Sequence, residues 1–288
     1  MKICPACWQG FEADDFSCPV CGYSPILLDG YPAFAPELEV GYDGFEADFF
    51  ATLADSEEGN FWFESRNSLL TWALGQYFPK ADTLLEIGCG TGFVLSGIKR
   101  EFQNIKLFGS DIFSKCFAYS KNRLPGTVFF QMDARNIPFK NEFDVIGAFD
   151  VLEHIEEDEI VLSQIFNALK SGGGVILTVP QHRWLWSKND EIACHKRRYL
   201  KKELAEKVAM AGFQILHMTS FVSLLLPLMA ASRLLGVSNH KDRKGELQQP
   251  HLLNELLKGI CSIERRLIAN GVSFPAGGSL LCVGQKRL

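Results

Sequence analysis

The chain has 288 residues, of which 47% are hydrophobic and 22% are charged, and its formal net charge is -5. This length and composition allow one large domain with a buried core plus a small module. The longest apolar stretch starts at Phe221, runs for about a dozen residues and contains Pro227, whereas a membrane span needs about 20 residues. No apolar run follows a charged start at the amino terminus, so we expect a cytoplasmic protein without a signal peptide or transmembrane segment.

Residues 1–30 carry two Cys-x-x-Cys pairs, formed by Cys4, Cys7, Cys18 and Cys21. Paired thiolates in tight turns are typical of a closed structural zinc site, which leaves no open position for catalysis. The segment is too short to fold without such a metal, so we predict a zinc ribbon, with redox or unpaired thiols as the alternative. Recognition of RNA by the ribbon has little support, because Lys2 is the only basic residue before Arg66.

Residues 31–82 form an aromatic and acidic linker whose second half has helical spacing from Phe61 to Phe78 and stops at Pro79. From residue 83 to residue 288, predicted strands alternate with predicted helices. This pattern predicts an α/β fold with a mostly parallel sheet and helices on both faces. Between the last two strands, an insertion at about residues 221–270 contains two further predicted helices and a polar turn.

A glycine-rich turn follows the first of these strands, in "LLEIGCGTGF". Glu86 ends the strand, and Gly88, Gly90 and Gly92 precede a helix, so that a ligand can lie against the backbone at the helix start. A dinucleotide fold would place glycine where Phe93 stands. The spacing therefore favours a ligand other than a dinucleotide.

Acidic residues end the next two predicted strands. Asp111 is placed to accept both hydroxyls of a ribose, and Asp133 is placed to accept from an adenine amino group. Each acid alone is as well explained by a strand-end cap or a salt bridge, but ligands of open α/β sheets bind at successive strand ends. Together the acids indicate an adenosine site without phosphates.

Taken jointly, "LLEIGCGTG", "GSD", "MDARNIPF", "FDVIGAFDVLEHI" and "LKSGGGVILTVP" resemble the motifs of class I S-adenosylmethionine-dependent methyltransferases. The resemblance covers about residues 60–220 and the last strand. It implies a Rossmann-like fold with a seven-stranded sheet and S-adenosylmethionine as the methyl donor. The residues that it places at the donor are Glu86, Gly88, Gly90, Gly92, Asp111, Ile112, Asp133, Ala134 and Asp150.

The branch that resembles ubiquinone-biosynthesis O-methyltransferases adds an Arg, on a helix before the glycine turn, that binds the methionine carboxylate. Arg66 matches that position, and an Arg fork suits a carboxylate. An exposed helix salt bridge is the alternative role for Arg66.

The resemblance also suggests where the methyl acceptor lies. His154 follows the fourth strand and would act as a general base. Alternatively, it would only shape the turn. Together with Glu153 it also matches a Glu/His pair that holds a divalent ion in some family members. The segment after the fifth strand, which includes "HKRRYLKK", would border the acceptor. Its candidates are His195 as a second catalytic residue and His182, Trp186, Arg197, Arg198 and Tyr199 as substrate-binding residues, while helix-start solvation explains part of this charge equally well.

Three functions remain open at this stage. The first is methylation of an oxygen or nitrogen of a small or glycan- or lipid-linked metabolite. The second is RNA base methylation with the ribbon as the recognition element, against which stand the acidic charge balance and the absence of an Asn-Pro-Pro-Tyr-like base clamp at "DVLEHI". The third is donor binding without catalysis. The insertion would cap the acceptor site, form a homodimer face or rest on a membrane surface.

Overall fold

The structure, a computed structural model, describes residues 1–13, 15–41, 49–234 and 250–287. The strands are β1 (Lys2–Ile3), β2 (Gly10–Phe11), β3 (Ile26–Leu28), β4 (Tyr31–Ala33), β5 (Thr83–Ile87), β6 (Lys106–Asp111), β7 (Val128–Gln131), β8 (Phe143–Phe149), β9 (Leu169–Pro180), β10 (Phe213–Phe221) and β11 (Ser279–Lys286). The helices are α1 (Pro36–Gly41), α2 (Phe49–Glu57), α3 (Phe61–Tyr77), α4 (Phe93–Glu101), α5 (Phe117–Arg123), α6 (Asp158–Ala168), α7 (Lys188–Ile192), α8 (Lys201–Met210), α9 (Leu226–Leu234) and, named here α10, His251–Ala269.

One large sheet has the strand order β10-β11-β9-β8-β5-β6-β7-β4-β3. The five strands β9, β8, β5, β6 and β7 pair in parallel, and β11 is antiparallel to both β9 and β10. The strands β5 to β11 thus form the predicted mostly parallel, seven-stranded sheet of a Rossmann-like fold.

Two strands that the sequence did not predict lengthen this sheet. β3 and β4 form a hairpin, and β4 pairs in parallel with β7 through Ala33 and Gln131. Each strand has three residues, and Pro32 lies inside β4, so neither shows the alternation on which a strand prediction depends.

Both faces of the sheet are covered, which is why its central strands are apolar throughout. Val145 of β8 packs into the core formed with α3, α4, α5 and α10, while the next residue, Ile146, packs into the core formed with α6 and α8. Both side chains are fully buried.

The described residues of the insertion before β11 form two helices, α9 and α10, and most of the predicted polar turn lies in residues 235–249, outside the described residues. α10 packs on α3: Asn254 Oδ1 accepts from the Phe61 backbone N–H at 2.9 Å, and Lys258 pairs with Glu64. No residue of α9 or α10 lines the cavity described below.

None of the helices in the described part of the chain combines the length and hydropathy that a membrane crossing requires.

Candidate active site and metal centre

A cavity of about 660 Å³ opens at the carboxyl ends of β5, β6, β7 and β8. Parallel α/β sheets bind their ligands at this edge, and the volume lies within the range of about 300–1,000 Å³ typical of small-molecule sites. The predicted site residues in its wall are Arg66, Glu86, Gly88, Gly90, Asp111, Ile112, Asp133, Ala134, Asp150 and His154.

The glycine turn forms the inner wall of the cavity. Gly88, Gly90 and Gly92 have φ angles of +68°, +47° and +73°, a backbone region that residues other than glycine rarely adopt. A Cβ on Gly88 would lie 2.5 Å from Val151 Cγ2, and one on Gly92 would lie 3.0 Å from Ser120 Cβ. Gly92 itself is absent from the cavity wall, so its observed role is to turn the chain into α4.

Asp111 holds the glycine turn in place from the end of β6. Its Oδ2 accepts from the Gly90 backbone N–H at 3.0 Å, and its Oδ1 accepts from the Phe113 N–H at 3.1 Å. Burial raises the pKa of Asp111 to about 6, although both hydrogen bonds lower it. A carboxylate with spare lone pairs thus faces the cavity.

Glu86, at the end of β5, is almost completely buried, and its Oε2 has no hydrogen-bond partner among the described residues. Burial raises its pKa well above the ordinary value, although the charge of Arg66 opposes the shift. A buried polar atom without a partner is rare, so Oε2 is a candidate contact for a ligand.

Arg66 and Asp150 form an ion pair across the cavity. Arg66 reaches it from α3, where its guanidinium lies 5.8 Å from the ring centres of Trp62 and Phe63. Within the part of the chain that the structure describes, its Nε has no hydrogen-bond partner. Asp150 follows β8 with a φ of +58°. Strained backbone of this kind concentrates at functional sites, because the surrounding structure must hold it in place.

Asp133 lies at the end of the cavity that β7 forms. Its carboxylate accepts from Arg135 Nε at 3.1 and 3.0 Å, and Arg135 also contacts Glu157 at 3.0 Å. The side chains of Ile112 and Ala134 line the same wall. Asp133 is thus already bound within the chain, unlike Glu86 Oε2.

Sequence reasoning did not identify the residues that cover the glycine turn. Glu57, at the end of α2, accepts from Thr91 Oγ1 at 2.7 and 2.6 Å and from Arg123 Nη1 at 2.5 Å. Phe50 and Leu53 of the same helix line the cavity. An acidic residue far from any motif offers no sequence signal for this contact.

His154 lines the cavity, as do Asp150, Cys194 and Lys196. Burial, together with the nearby His195, lowers the pKa of His154 to about 4. The rings of His154 and His195 pack edge to face with centres 4.7 Å apart. His154 is therefore neutral at physiological pH.

The structure does not bring the remaining catalytic candidate, His195, to the cavity wall. Its Nδ1 lies 2.9 Å from Asp190 Oδ1, and its Nε2 lies 3.9 Å from Glu153 Oε1. Neither carboxylate oxygen of Glu153 has a hydrogen-bond partner in the described ranges, and burial raises the pKa of this group well above its ordinary value. His195 thus lies one layer behind His154.

The five substrate-binding candidates also lie outside the cavity wall, since most are held by carboxylates. Arg198 donates from Nε to Asp190 Oδ1 at 2.7 Å, and burial of Asp190 is outweighed by hydrogen bonds from His195 and Arg198 that lower its pKa. Tyr199 donates to Asp158 Oδ2 at 2.6 Å and Arg197 pairs with the same carboxylate at 3.0 Å.

His182 and Trp186 complete that set. His182 has a φ of +64°, and its ring lies 5.6 Å from that of Trp184; no described residue forms a hydrogen bond with its Nε2. Trp186 is exposed. Lys196, which the sequence analysis did not select, is the residue of this basic segment that lines the cavity.

The four cysteines of the predicted ribbon come together at the amino terminus. Their Sγ atoms all lie within 4.8 Å of one another, with Cys4 and Cys21 at 3.6 Å and Cys7 and Cys18 at 3.8 Å. A tetrahedral zinc ion with Zn–S bonds of about 2.3 Å separates its sulfur ligands by about 3.8 Å, so the cluster fits such an ion.

The backbone repeats the same turn at both cysteine pairs. Trp8 N–H donates to Cys4 O at 2.8 Å, and Gly22 N–H donates to Cys18 O at 3.0 Å. Trp8 and Gly22 have φ angles of +60° and +75°. The two turns thus present their cysteines in matching geometry, as a four-thiolate site requires.

The fold, the glycine turn and the acidic residues at successive strand ends define a Rossmann-like domain of the class I methyltransferase type. A family model described as "Methyltransferase domain" matches residues 58–223, more than half of the chain, and the chain belongs to this family.

The chain also resembles individual curated proteins. It is 29% identical over 143 residues to phosphoethanolamine N-methyltransferase 2 of Caenorhabditis elegans, which covers 47% of this chain and 32% of that protein. It is 28% identical over 106 residues to trans-aconitate 2-methyltransferase of Variovorax paradoxus, which covers 36% of this chain and 41% of that protein. The chain spans less than two thirds of the length of the curated relatives it matches.

Solved structures confirm the fold. Phosphoethanolamine N-methyltransferase 2 of Haemonchus contortus, in complex with S-adenosyl-L-methionine, aligns with a TM-score of 0.52 and 19% identity, over 77% of this chain and 53% of that one. The [4+2]-cyclase SpnF aligns with a TM-score of 0.57 and 19% identity, over 90% of this chain and 98% of that one. Because a cyclase shares the fold, the fold alone does not specify the reaction.

Proposed function

We propose that the protein transfers a methyl group from S-adenosylmethionine to an oxygen or nitrogen of a small or glycan- or lipid-linked metabolite. The observation that carries this proposal is the convergence of the glycine turn, Asp111 and the Arg66–Asp150 pair in one cavity. The proposal covers the acceptor atom and the acceptor class, which the family membership leaves open.

The charged groups and the unpartnered polar atoms of the cavity match the groups of this donor. The methionine part of the donor carries an anionic carboxylate and a cationic ammonium group. The Arg66–Asp150 pair offers a cation for the first and an anion for the second. Arg66 Nε is free to donate to the carboxylate, and Asp150 lies beside it for the ammonium. Asp111 would accept the ribose hydroxyls, with Ile112 and Ala134 against the adenine.

When bound, the donor supplies a methyl group that is already activated by its sulfonium. Much of the acceleration in such an in-line displacement comes from holding the two reactants in line. The chain does this by fixing the glycine turn through Asp111 and by closing α2 over it through Glu57. Few catalytic residues are then needed.

The low pKa of His154 makes this residue a weak general base at neutral pH. General bases work best with a pKa near the working pH, and burial places that of His154 at about 4. We therefore infer that His154 orients the acceptor as a neutral hydrogen-bonding group and that positioning dominates catalysis. The arrangement favours an acceptor that attacks with a lone pair without first losing a proton, such as a neutral amine, whose methylated product then releases a proton to water.

Lys196 points to the charge of the acceptor. Its backbone N–H donates to Glu153 O at 2.7 Å, which holds the residue at the cavity wall, and its side chain forms no ion pair with any described residue. The other cavity cations, Arg66 and Arg135, are paired with carboxylates. A free ammonium at this position favours an acceptor that carries a phosphate or a carboxylate.

Isothermal titration calorimetry tests the donor. Zinc-loaded protein should bind S-adenosylmethionine and S-adenosylhomocysteine with micromolar affinity, and the Arg66→Gln variant should bind both more weakly. The absence of heat with either compound would overturn the proposal. Metabolite extracts from cells with and without the protein, grown on methyl-labelled methionine, would then identify the acceptor.

The four-cysteine cluster supports a structural zinc ion, because no ligand position is left open for chemistry. Elemental analysis should find one zinc ion per chain. The Cys18→Ser variant should lose it, whereas Cys261→Ala, which changes a buried cysteine of α10, should retain it. Equal zinc content in both variants would contradict this assignment.

RNA methylation has less support in the structure than in the sequence. Lys2 donates its Nζ to the carbonyl of Ala13, and Arg197 and Arg198 are paired with Asp158 and Asp190. These cations are therefore not available for phosphates. Salt-dependent retention of the protein on RNA would favour the RNA alternative. A cytoplasmic location stays a prediction.

A further inference from the structure

The amino-terminal module, which comprises residues 1–13 and 15–39, lies outside the region matched by the family model. It nevertheless forms hydrogen bonds and an ion pair with residues of the methyltransferase domain. Ile3 N–H donates to Pro138 O and Lys140 N–H donates to Met1 O, both at 3.0 Å. The amino terminus also pairs with Glu142.

An aromatic contact joins the cysteine cluster to β7. Phe16 lies in the loop between Cys7 and Cys18, and its ring centre is 5.2 Å from Phe34, 5.7 Å from Phe130 and 6.2 Å from Phe139. The position of this ring depends on a loop whose two ends are cysteines of the cluster. The metal would therefore determine how the loop packs on the sheet.

Gln131 then connects the module to the donor cavity. Its side chain is fully buried; Oε1 accepts from Ala35 N–H at 3.0 Å, and Nε2 donates to Ala35 O at 2.7 Å. The same Nε2 donates to the carbonyl of Ile112 at 3.1 Å. One buried amide thus ties the end of the β3–β4 hairpin to a residue of the cavity wall.

The module also reaches the cavity directly. Leu38 of α1 lines it. Glu39 Oε1 accepts from the backbone N–H and hydroxyl of Ser114 at 3.1 and 2.9 Å, and Asp29 accepts from the same hydroxyl at 2.7 Å. These carboxylates hold the turn that follows Asp111 and Ile112.

We propose that the amino-terminal module is part of the donor site: Leu38 contacts the nucleoside, Glu39 positions the Asp111–Ser114 turn, and metal binding by the four cysteines sets donor affinity. This inference rests on the proposed function, because it names a further determinant of the same site. Coupling between two binding events is reciprocal, so donor binding must also tighten metal binding. Couplings of this kind typically change affinity by about 5- to 150-fold.

The test measures S-adenosylhomocysteine binding to the full chain by calorimetry, with zinc bound and after zinc removal by a chelator. Far-UV and near-UV circular dichroism monitor whether the methyltransferase sheet stays folded. We expect zinc removal to weaken binding about tenfold. Unchanged affinity in the folded, zinc-free protein would overturn the inference and leave the proposed function intact, whereas no binding to the zinc-loaded protein would overturn both.

Two further measurements use zinc-loaded protein, in case the zinc-free protein unfolds. Leu38→Ala and Glu39→Gln should each weaken S-adenosylhomocysteine binding at least fivefold, while the control Glu37→Gln, an exposed residue of the same helix, should not. Saturating S-adenosylhomocysteine should also slow the transfer of zinc to a chromogenic chelator. Wild-type affinity in both test variants, or zinc release at an unchanged rate, would contradict the proposal.

Discussion

The ionisation of Asp111 gives a quantitative prediction about donor binding. Its carboxylate is buried, already accepts two backbone N–H groups and has a pKa of about 6. Accepting two ribose hydroxyls requires the ionised form, so affinity should be full above pH 6 and fall about tenfold for each unit below it. The stability of the ligand-free protein should depend on pH in the opposite direction. Because the pKa of Asp111 is raised in the folded state, folding is favoured while this carboxyl is protonated, and that contribution to the free energy of unfolding is lost as the pH rises through 6.

The Asp111→Asn variant removes this ionisation and one acceptor oxygen. Hydrogen bonds to charged groups contribute about 1.5–3 kcal/mol each, so we expect a loss of about 2–3 kcal/mol, or about 30- to 150-fold in donor affinity. Calorimetry with S-adenosylhomocysteine from pH 5 to pH 8 measures both effects. Glu86 also has a raised pKa, so the diagnostic quantity is the part of the slope that the variant loses.

Asp144→Asn is the matched control. This carboxylate pairs with Lys170 and Thr83, away from the cavity, so its loss should affect stability but not the pH profile of binding. If the Asp111 variant kept the wild-type slope, or if the wild-type affinity did not change between pH 5 and pH 8, the reasoning about Asp111 would be refuted.

Three other substitutions separate the roles of basic side chains. Arg66→Gln should lower S-adenosylhomocysteine affinity at least tenfold through the loss of one charge-assisted hydrogen bond, and near-wild-type calorimetry would argue against a carboxylate contact. Arg198→Ala should lower the free energy of unfolding by about 2–3 kcal/mol in urea denaturation, because the buried Asp190 loses its arginine partner and keeps the contacts with His195 and Ser187; donor affinity in the folded protein should not change. Lys196→Gln should raise the KM for an anionic acceptor and leave the donor Kd unchanged, and steady-state kinetics with equal KM values would exclude its assigned role.

Local sequence patterns predicted most of the sheet and the residues at its ligand-binding edge. Strand ends are encoded by apolar runs, and the glycines of the turn are required by the backbone geometry at residues 88–92. Asp111 and Asp150 follow directly from the ends of their strands. Their positions at the ligand-binding edge of the sheet could therefore be predicted without a structure.

The basic segment shows why charge alone was insufficient. Sequence shows that Arg197, Arg198 and Lys196 are adjacent, but it does not show which carboxylates fold against them. Asp158 and Asp190 engage the two arginines and leave only the lysine at the cavity. Long-range pairings of this kind depend on the tertiary fold.

Gln131 did carry a signal that sequence analysis could have used. It is a polar side chain in the buried strand β7, and buried polar groups require partners. The sequence does not name those partners, Ala35 and Ile112, because they lie 96 and 19 residues away.

The position of β11 has a consequence for synthesis of the chain. β11 lies between β9 and β10 in the sheet, although it follows both in sequence. Chains are synthesised at about 5–20 residues per second. Until residues 279–286 have been made, the edges of β9 and β10 that pair with β11 have no partner strand. A nascent chain that stalls within α10 would expose two long unpaired strand edges, which favour aggregation with other chains.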